Sequence, residues 1–163
     1  MEIAIVSDTH LPKGFRCLPD ACLERLRAAD AIVHAGDLST LAVLEQLQSH
    51  GRVVAVHGNV DDAGVRALLP QTATLDAGGF RMAVIHDAGS SRGRLERMRR
   101  QFPEADAVIF GHSHIPLHER AGDGFQIFNP GSPTDRRRQP THTMGHARIG
   151  DDGAVGFELV DLG

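Results

Sequence analysis

The chain has 163 residues, 41 % hydrophobic and 23 % charged, a balance that suits a folded protein and argues against disorder. Seventeen basic residues against 21 acidic ones leave a net charge of −4, which disfavours a nucleic-acid backbone as the main partner. No apolar run approaches the ~20 residues of a membrane helix, and the opening MEIAIVSDTH has no basic leader, so neither membrane insertion nor export is expected.

At roughly 100–200 residues per domain, one domain over 1–163 is expected. Cys17 and Cys22 are spaced neither as CxxC nor as a disulfide framework, so a reduced, cytoplasmic setting is expected. Ten histidines are many for this length.

Glu2–Ser7 reads as a buried strand. Pro19–Ala29 follows as a helix, with Ala21, Cys22, Leu26 and Ala29 at helical spacing. Ala31–His34 is a second strand. Ser39 is placed to cap a helix running through Leu47, with Leu41, Leu44 and Leu47 three apart. Arg52–His57 is a third strand, and this βαβαβ opening predicts a mainly parallel sheet covered by helices. Thr72–Asp76 and Phe80–His86 read as a hairpin around Gly78-Gly79. A helix is expected from about Gly93 to Phe102, then strands at Asp106–Phe110, Pro116–Arg120, Phe125–Phe128, Thr143–Ile149 and Ala154–Leu159.

What ends the strands is more informative. The runs close on Ser7-Asp8-Thr9-His10, His34-Ala35-Gly36-Asp37, His57-Gly58-Asn59-Val60-Asp61, His86-Asp87 and Gly111-His112-Ser113-His114. Sites in open α/β sheets lie beyond the carboxyl ends of the strands, so five ends deliver Asp, Asn and His to one rim. In Asp8-x-His10 and His112-x-His114 the i, i+2 spacing puts both side chains on one side of an extended segment. Asp8, His10, Asp37, Asn59, His86, His112 and His114 are too many donors for one tetrahedral ion and suit two ions sharing a carboxylate.

Each piece alone has an ordinary explanation as a cap or turn; the ordered set does not. His34 and His57 read as packing groups or as supports behind the donors, and His50, His118, His142 and His146 as surface or loop residues. Arg92, Arg94 and Arg136-Arg137-Arg138 are either solvated or phosphate contacts.

This ordered set resembles that of the calcineurin-like metallophosphoesterases, and the short length with Asn129-Pro130-Gly131-Ser132 is similar to their small phosphodiesterase branch. The resemblance implies a four-layer αββα sandwich of two mixed sheets. It assigns Asp8, His10, Asp37 and His114 to one ion, and Asp37 as bridge with Asn59, His86 and His112 to the other, with Asp61 supporting the donors from behind or serving the turn. Two divalent transition-metal ions are implied, Mn first, with Fe, Ni, Co or Zn also suited to these N and O donors. The implied activity is phosphodiester or phosphomonoester hydrolysis of a small substrate, by a metal-bridging hydroxide with Asn59 stabilising the phosphoryl oxygen.

Two departures stand out. Val60 occupies the place where many relatives carry a proton-donating His, so the leaving oxygen is expected to depart as an anion, or to take its proton from water or a neighbour such as His57. Asp87 follows His86 where the family more often has Gly. The alternatives to an enzyme of this kind are a non-catalytic interaction scaffold of the same fold and a metal-dependent nuclease. A homo-oligomer is compatible with either.

Overall fold

The computed structural model describes residues 1–150 and 152–163. β1 (Glu2–Val6) is buried almost throughout because it lies at the centre of a sheet, paired in parallel with β2 (Ala31–His34) and antiparallel with β9 (Thr143–Ile149). β3 (Val53–Ala55) extends the parallel side, and β10 (Val155–Asp161) closes the other, giving the order β10-β9-β1-β2-β3. A second sheet runs β4-β5-β6-β8-β7, built from β4 (Thr72–Ala77), β5 (Phe80–Ile85), β6 (Ala107–Ile109), β7 (Leu117–Arg120) and β8 (Gln126–Asn129). Both sheets are mixed. The βαβαβ opening and the β4–β5 hairpin are present as the sequence predicts.

Three apolar clusters set the layers. Ile3, Ile5 and Val33 of the first sheet meet Leu75, Met82, Val84, Ile109 and Phe128 of the second. The opposite face of the first sheet, Ala4, Val6 and Ile32, packs on α1 (Asp20–Ala28), α2 (Leu41–Gln48) and α3 (Ala63–Leu68) through Cys22, Leu26, Val43, Leu44, Leu47 and Val65. Ala83, Val108 and Ile127 on the outer face of the second sheet pack on α4 (Arg94–Gln101) through Met98. The result is a helix–sheet–sheet–helix sandwich, the expected fold.

Two local expectations need correction. Ser39 does not cap α2: the N-cap is Thr40, without a side-chain cap bond, while Ser39 takes φ +94 and donates its N–H to Asp61 Oδ1 at 2.6 Å. The pull of that carboxylate takes Ser39 out of the capping position. α3 has no counterpart in the sequence reading. Its signal was Asp62, whose side chain accepts from the Val65 N–H at 2.9 Å as an N-cap, offset by Gly64 inside a helix of only six residues.

No helix among the described residues is long and apolar enough to cross a membrane. Cys17 and Cys22 are both free thiols.

Candidate metal centre

The donors sit just past strand ends: Asp8 and His10 after β1, Asp37 after β2, Asn59 after β3, His86 after β5, His112 and His114 after β6. Asp8, Asp37, His86 and His114 are buried, His10 is half-buried, and Asn59 and His112 are exposed. The structure brings all seven together. Asp8 Oδ1 lies 3.4 Å from His114 Nε2 and 3.8 Å from His10 Nε2, and those two ring nitrogens are 3.1 Å apart. Asp37 Oδ2 is 3.8 Å from His10 Nε2 and 3.2 Å from His86 Nε2. Asn59 Oδ1 completes the far side, 3.1 Å from His86 Nε2 and 3.0 Å from His112 Nδ1.

These atoms are mostly acceptors facing acceptors. His86 Nδ1–H donates to the Ala35 carbonyl at 2.7 Å and His114 Nδ1–H to that of Asp135 at 2.6 Å, so both Nε2 lone pairs turn inward. Asp8 Oδ1 is buried with no hydrogen-bond partner among the described residues, while Oδ2 accepts from Ser7 Oγ at 2.6 Å and from the His112 N–H at 2.9 Å. A proton or a cation must neutralise such a cluster. Spacings of 3.0–3.8 Å suit donors around shared ions with bonds of about 2.0–2.2 Å, so the residues fit divalent metal. Asp8, His10 and His114 form one potential ligand group, and Asp8, Asp37 and His86 an overlapping second.

The electrostatics agree. Burial pushes the Asp8 carboxyl up to about 7. Burial also opposes ionisation of Asp37, but the facing His86 and the Val60 N–H outweigh it and hold the carboxyl at about 2. Burial lowers His10, and brings His114 down to about 4, so both present neutral rings. For His86 burial is outweighed by the Asp37 carboxylate, and the net shift is upward.

The backbone is bent to achieve this. Asp8, His10, Asp37, His112 and His114 all have φ between +46° and +68°. Non-glycine residues held there cost of order 1–3 kcal/mol each, and such strain concentrates at functional sites. The expected extended i, i+2 geometry is therefore incorrect: both three-residue segments, 8–10 and 112–114, curl over their strand ends. His112 and His114 consequently serve opposite halves of the cluster. Gly58 and Gly111 owe their identity to close approach, since a Cβ would strike Asp37 Oδ1 at the first and Ser7 Oγ at the second.

Supporting residues hold the donor loops. Asp61 accepts from the N–H groups of Asp37 at 3.0 Å, Ser39 at 2.6 Å and Gly58 at 2.6 Å, and so supports the donor loops without being a donor itself. His34 is fully buried: its Nδ1 accepts from the Gly36 N–H at 3.1 Å, so Nε2–H faces Thr9 Oγ1 at 3.1 Å. Burial brings its pKa down to about 3. Sequence reasoning missed the braces beyond β8. Asn129 Nδ2 donates to the Gly111 carbonyl, Ser132 Oγ to that of Asp8 and Thr134 Oγ1 to that of Thr9. The signal was the Asn-Pro-Gly-Ser motif itself.

The outlying arginines read mainly as structural. Arg94 donates to the Gly89 carbonyl and lies over the Phe110 ring, and Arg136 donates to the Gln139 carbonyl. His57 is half-buried with Nδ1 3.2 Å from the Gly58 carbonyl, and it lines a cleft of about 430 Å³ together with Asn59, His86 and His112. Val60 is 48 % exposed and contributes its N–H to Asp37 Oδ1 at 3.0 Å.

Comparison with known proteins places this chain in a family. A probable metallophosphoesterase of Methanothermobacter thermautotrophicus is 34 % identical over 137 residues, 82 % of this chain and 78 % of the relative. One from Methanocaldococcus jannaschii is 35 % identical, covering 82 % and 69 % respectively. Among solved structures, wild-type Vps29 of Entamoeba histolytica complexed with zinc superposes with a TM-score of 0.77 at 25 % identity over the whole of both chains. Residues 1–152 match the family described as the calcineurin-like phosphoesterase superfamily domain, and the chain therefore belongs to that superfamily.

Proposed function

We propose that residues 1–163 act as one domain, a phosphodiesterase that uses two divalent metal ions on a small phosphoester. The observation that carries this reading is the position of Asp37 Oδ2, within 3.8 Å of His10 Nε2 on one side and 3.2 Å of His86 Nε2 on the other. A carboxylate so placed is suited to bridge. Asp8, His10 and His114 would hold one ion with Asp37, and Asn59, His86 and His112 the other. The ions supply an activated water and neutralise phosphoryl charge when bound.

The remaining work falls to the chain. The carbonyls of Ala35 and Asp135 fix the His86 and His114 rings, and Asp61 fixes the loops of Asp37 and Gly58. Asn59 adds a neutral donor beside the phosphoryl oxygens. Val60 has no proton to give, so the leaving oxygen departs mainly as an anion, with His57, in the same cleft, as a weak proton donor. A diester suits this arrangement because it brings a single negative charge and two ester arms, one of which the cleft can take. Mn is the first choice of metal; zinc is the ion in the Entamoeba complex. A cytoplasmic setting fits the two free thiols.

The test is metal analysis alongside hydrolysis of bis(p-nitrophenyl) phosphate with Mn, Fe, Co, Ni and Zn in turn. Two ions per chain with metal-dependent turnover is the expected result. A preparation that binds no metal and cannot be activated by any of them would instead support a scaffold.

A further inference from the structure

β10 is the outermost strand of the first sheet, and its far side is open. The Gly150 N–H donates to the Ala154 carbonyl at 2.9 Å and the Leu162 N–H to the His142 carbonyl at 2.8 Å, so the even-numbered residues of this strand make the ladder to β9. Antiparallel pairs alternate between bonded and non-bonded. Val155, Phe157, Leu159 and Asp161 therefore aim their N–H and C=O groups away from β9, and no strand among the described residues takes them up.

Sheet edges are usually made unattractive to further strands by Lys, Pro, charge or shortness. The other edges of this sandwich follow that rule. β3 has three residues, β7 carries His118, Glu119 and Arg120, and β4 exposes Thr72, Thr74 and Asp76. β10 does not follow it. VGFELVD is seven residues long, holds no Lys, Arg or Pro, and carries charge only at Glu158 and at its last residue. Phe157 stacks on Phe128 at 5.1 Å between ring centroids yet stays half-buried, and Leu159 is 39 % exposed. An added strand would cover both.

This edge is complementary to itself. Two copies related by a two-fold axis pair antiparallel, and the register decides which side chains oppose each other. An axis through Glu158 sets two carboxylates face to face. An axis through Leu159 sets Phe157 against Asp161, and one through Gly156 runs Leu159 past the start of the strand, opposite Gly153. An axis through Phe157 sets Val155 against Leu159 and Gly156 against Glu158, with no like charges opposed. That register makes roughly six backbone hydrogen bonds and continues the apolar layer of one sandwich into the next.

We propose that β10 is a self-association edge, at which a second copy of this chain pairs antiparallel about Phe157 and the two first sheets become one continuous sheet. The inference is independent of the reaction proposed above.

Sedimentation velocity from micromolar to millimolar protein is expected to show a monomer–dimer equilibrium. Leu159→Pro removes an N–H that the ladder to β9 does not use and the dimer does, so Tm should hold while dimerisation weakens by at least about tenfold. Cysteines on a Cys17→Ser background read the register. Gly156→Cys protein, whose new Cβ meets nothing within 4 Å, is mixed with Glu158→Cys protein and treated with diamide. In the proposed register 156 and 158 form a non-bonded pair with Cα atoms about 4.5 Å apart, within disulfide reach. The mixture should cross-link to a dimer holding one chain of each kind, and neither protein should cross-link alone. A monomer at every concentration, a dimer indifferent to Leu159→Pro, or cross-linking of Glu158→Cys by itself would overturn the proposal. Should Leu159→Pro fail to fold, the mixed cross-link decides: its formation supports the pairing and its absence overturns it.

Discussion

His10 Nε2 and His114 Nε2 face each other at 3.1 Å although 104 positions separate them in the chain. Burial disfavours the imidazolium at both, so protons are poor partners for this pair and a metal ion is a good one. Adding Mn or Zn to chelator-treated protein is therefore expected to raise Tm. A ligand that binds only the folded state stabilises by about 2.7 kcal/mol at 100 times its Kd. Calorimetry with and without EDTA measures the shift; an unchanged Tm would argue against a metal centre.

Asp37→Asn is expected to be the most damaging single change among the donors. An amide keeps the shape but loses the charge shared between the two halves, and activity should fall by at least ~10²-fold with loss of metal. His114→Ala should weaken mainly one equivalent. Metal content and kcat measured together separate the two variants. An Asp37→Asn protein that kept both ions and near wild-type turnover would mean that another group bridges.

The pH dependence of metal uptake follows from Asp8. Its folded pKa of about 7 lies above the ordinary carboxylate value of 3.8, so between these values the metal-free folded state holds a proton that the unfolded state does not. Stability of that form from this group is greatest below about 3.8 and is lost as pH rises toward 7. An ion must displace the same proton, and His86, also shifted upward, adds another. Affinity should rise with pH, with proton release large near about pH 6 and small near about pH 8. Titration calorimetry in buffers of different ionisation enthalpy reads this directly; pH-independent affinity would contradict it.

With Val60 unable to act as an acid, the rate should depend steeply on the leaving group. General acid catalysis contributes typically ~10²–10⁴-fold, so aryl esters should react well and alkyl esters slowly. A series of substituted phenyl diesters with one alkyl ester gives the slope, and His57→Gln should steepen it if His57 supplies the proton. A flat dependence with chemistry rate-limiting, unchanged by His57→Gln, would assign the acid elsewhere.

Asp61→Ala leaves the N–H groups of Asp37, Ser39 and Gly58 without their acceptor. Each buried donor left unpaired costs about 1–3 kcal/mol. The variant should melt earlier and bind metal more weakly although Asp61 touches no ion. A Tm equal to wild type would show that water replaces the carboxylate at no cost.

Much of this was legible because apolar runs ending in Asp, Asn or His are rare, and sheet topology turns their order into a place. Thus Asp8 and His114, at opposite ends of the reading, could be expected in one cluster. The backbone shape at those ends was not legible. Alternation is a property of extended chain, whereas Asp8 and His10 sit at positive φ that only tertiary contacts sustain. Ser39 failed as a cap for the same reason: its amide is claimed by Asp61, 22 residues on. The brace from Ser132 to the Asp8 carbonyl spans 124 residues, and no local pattern carries such a bond. The missed α3 is different, since a six-residue helix containing a glycine has little intrinsic propensity and is held by Val65 in the core.

Four of the seven donors follow strands of the first sheet and three follow strands of the second. No β-ladder joins the sheets to each other among the described residues; side chains such as Ile5 and Phe128 meet between them. Mechanically the sandwich is two plates with an adhesive filling, and an ion held at the rim is a rivet through both. Pulling the plates apart would then demand rupture of coordinate bonds at one edge before the filling could peel. In a force experiment the loaded rivet should move the first yielding event away from the strand ends that carry the chemistry, toward the opposite edge.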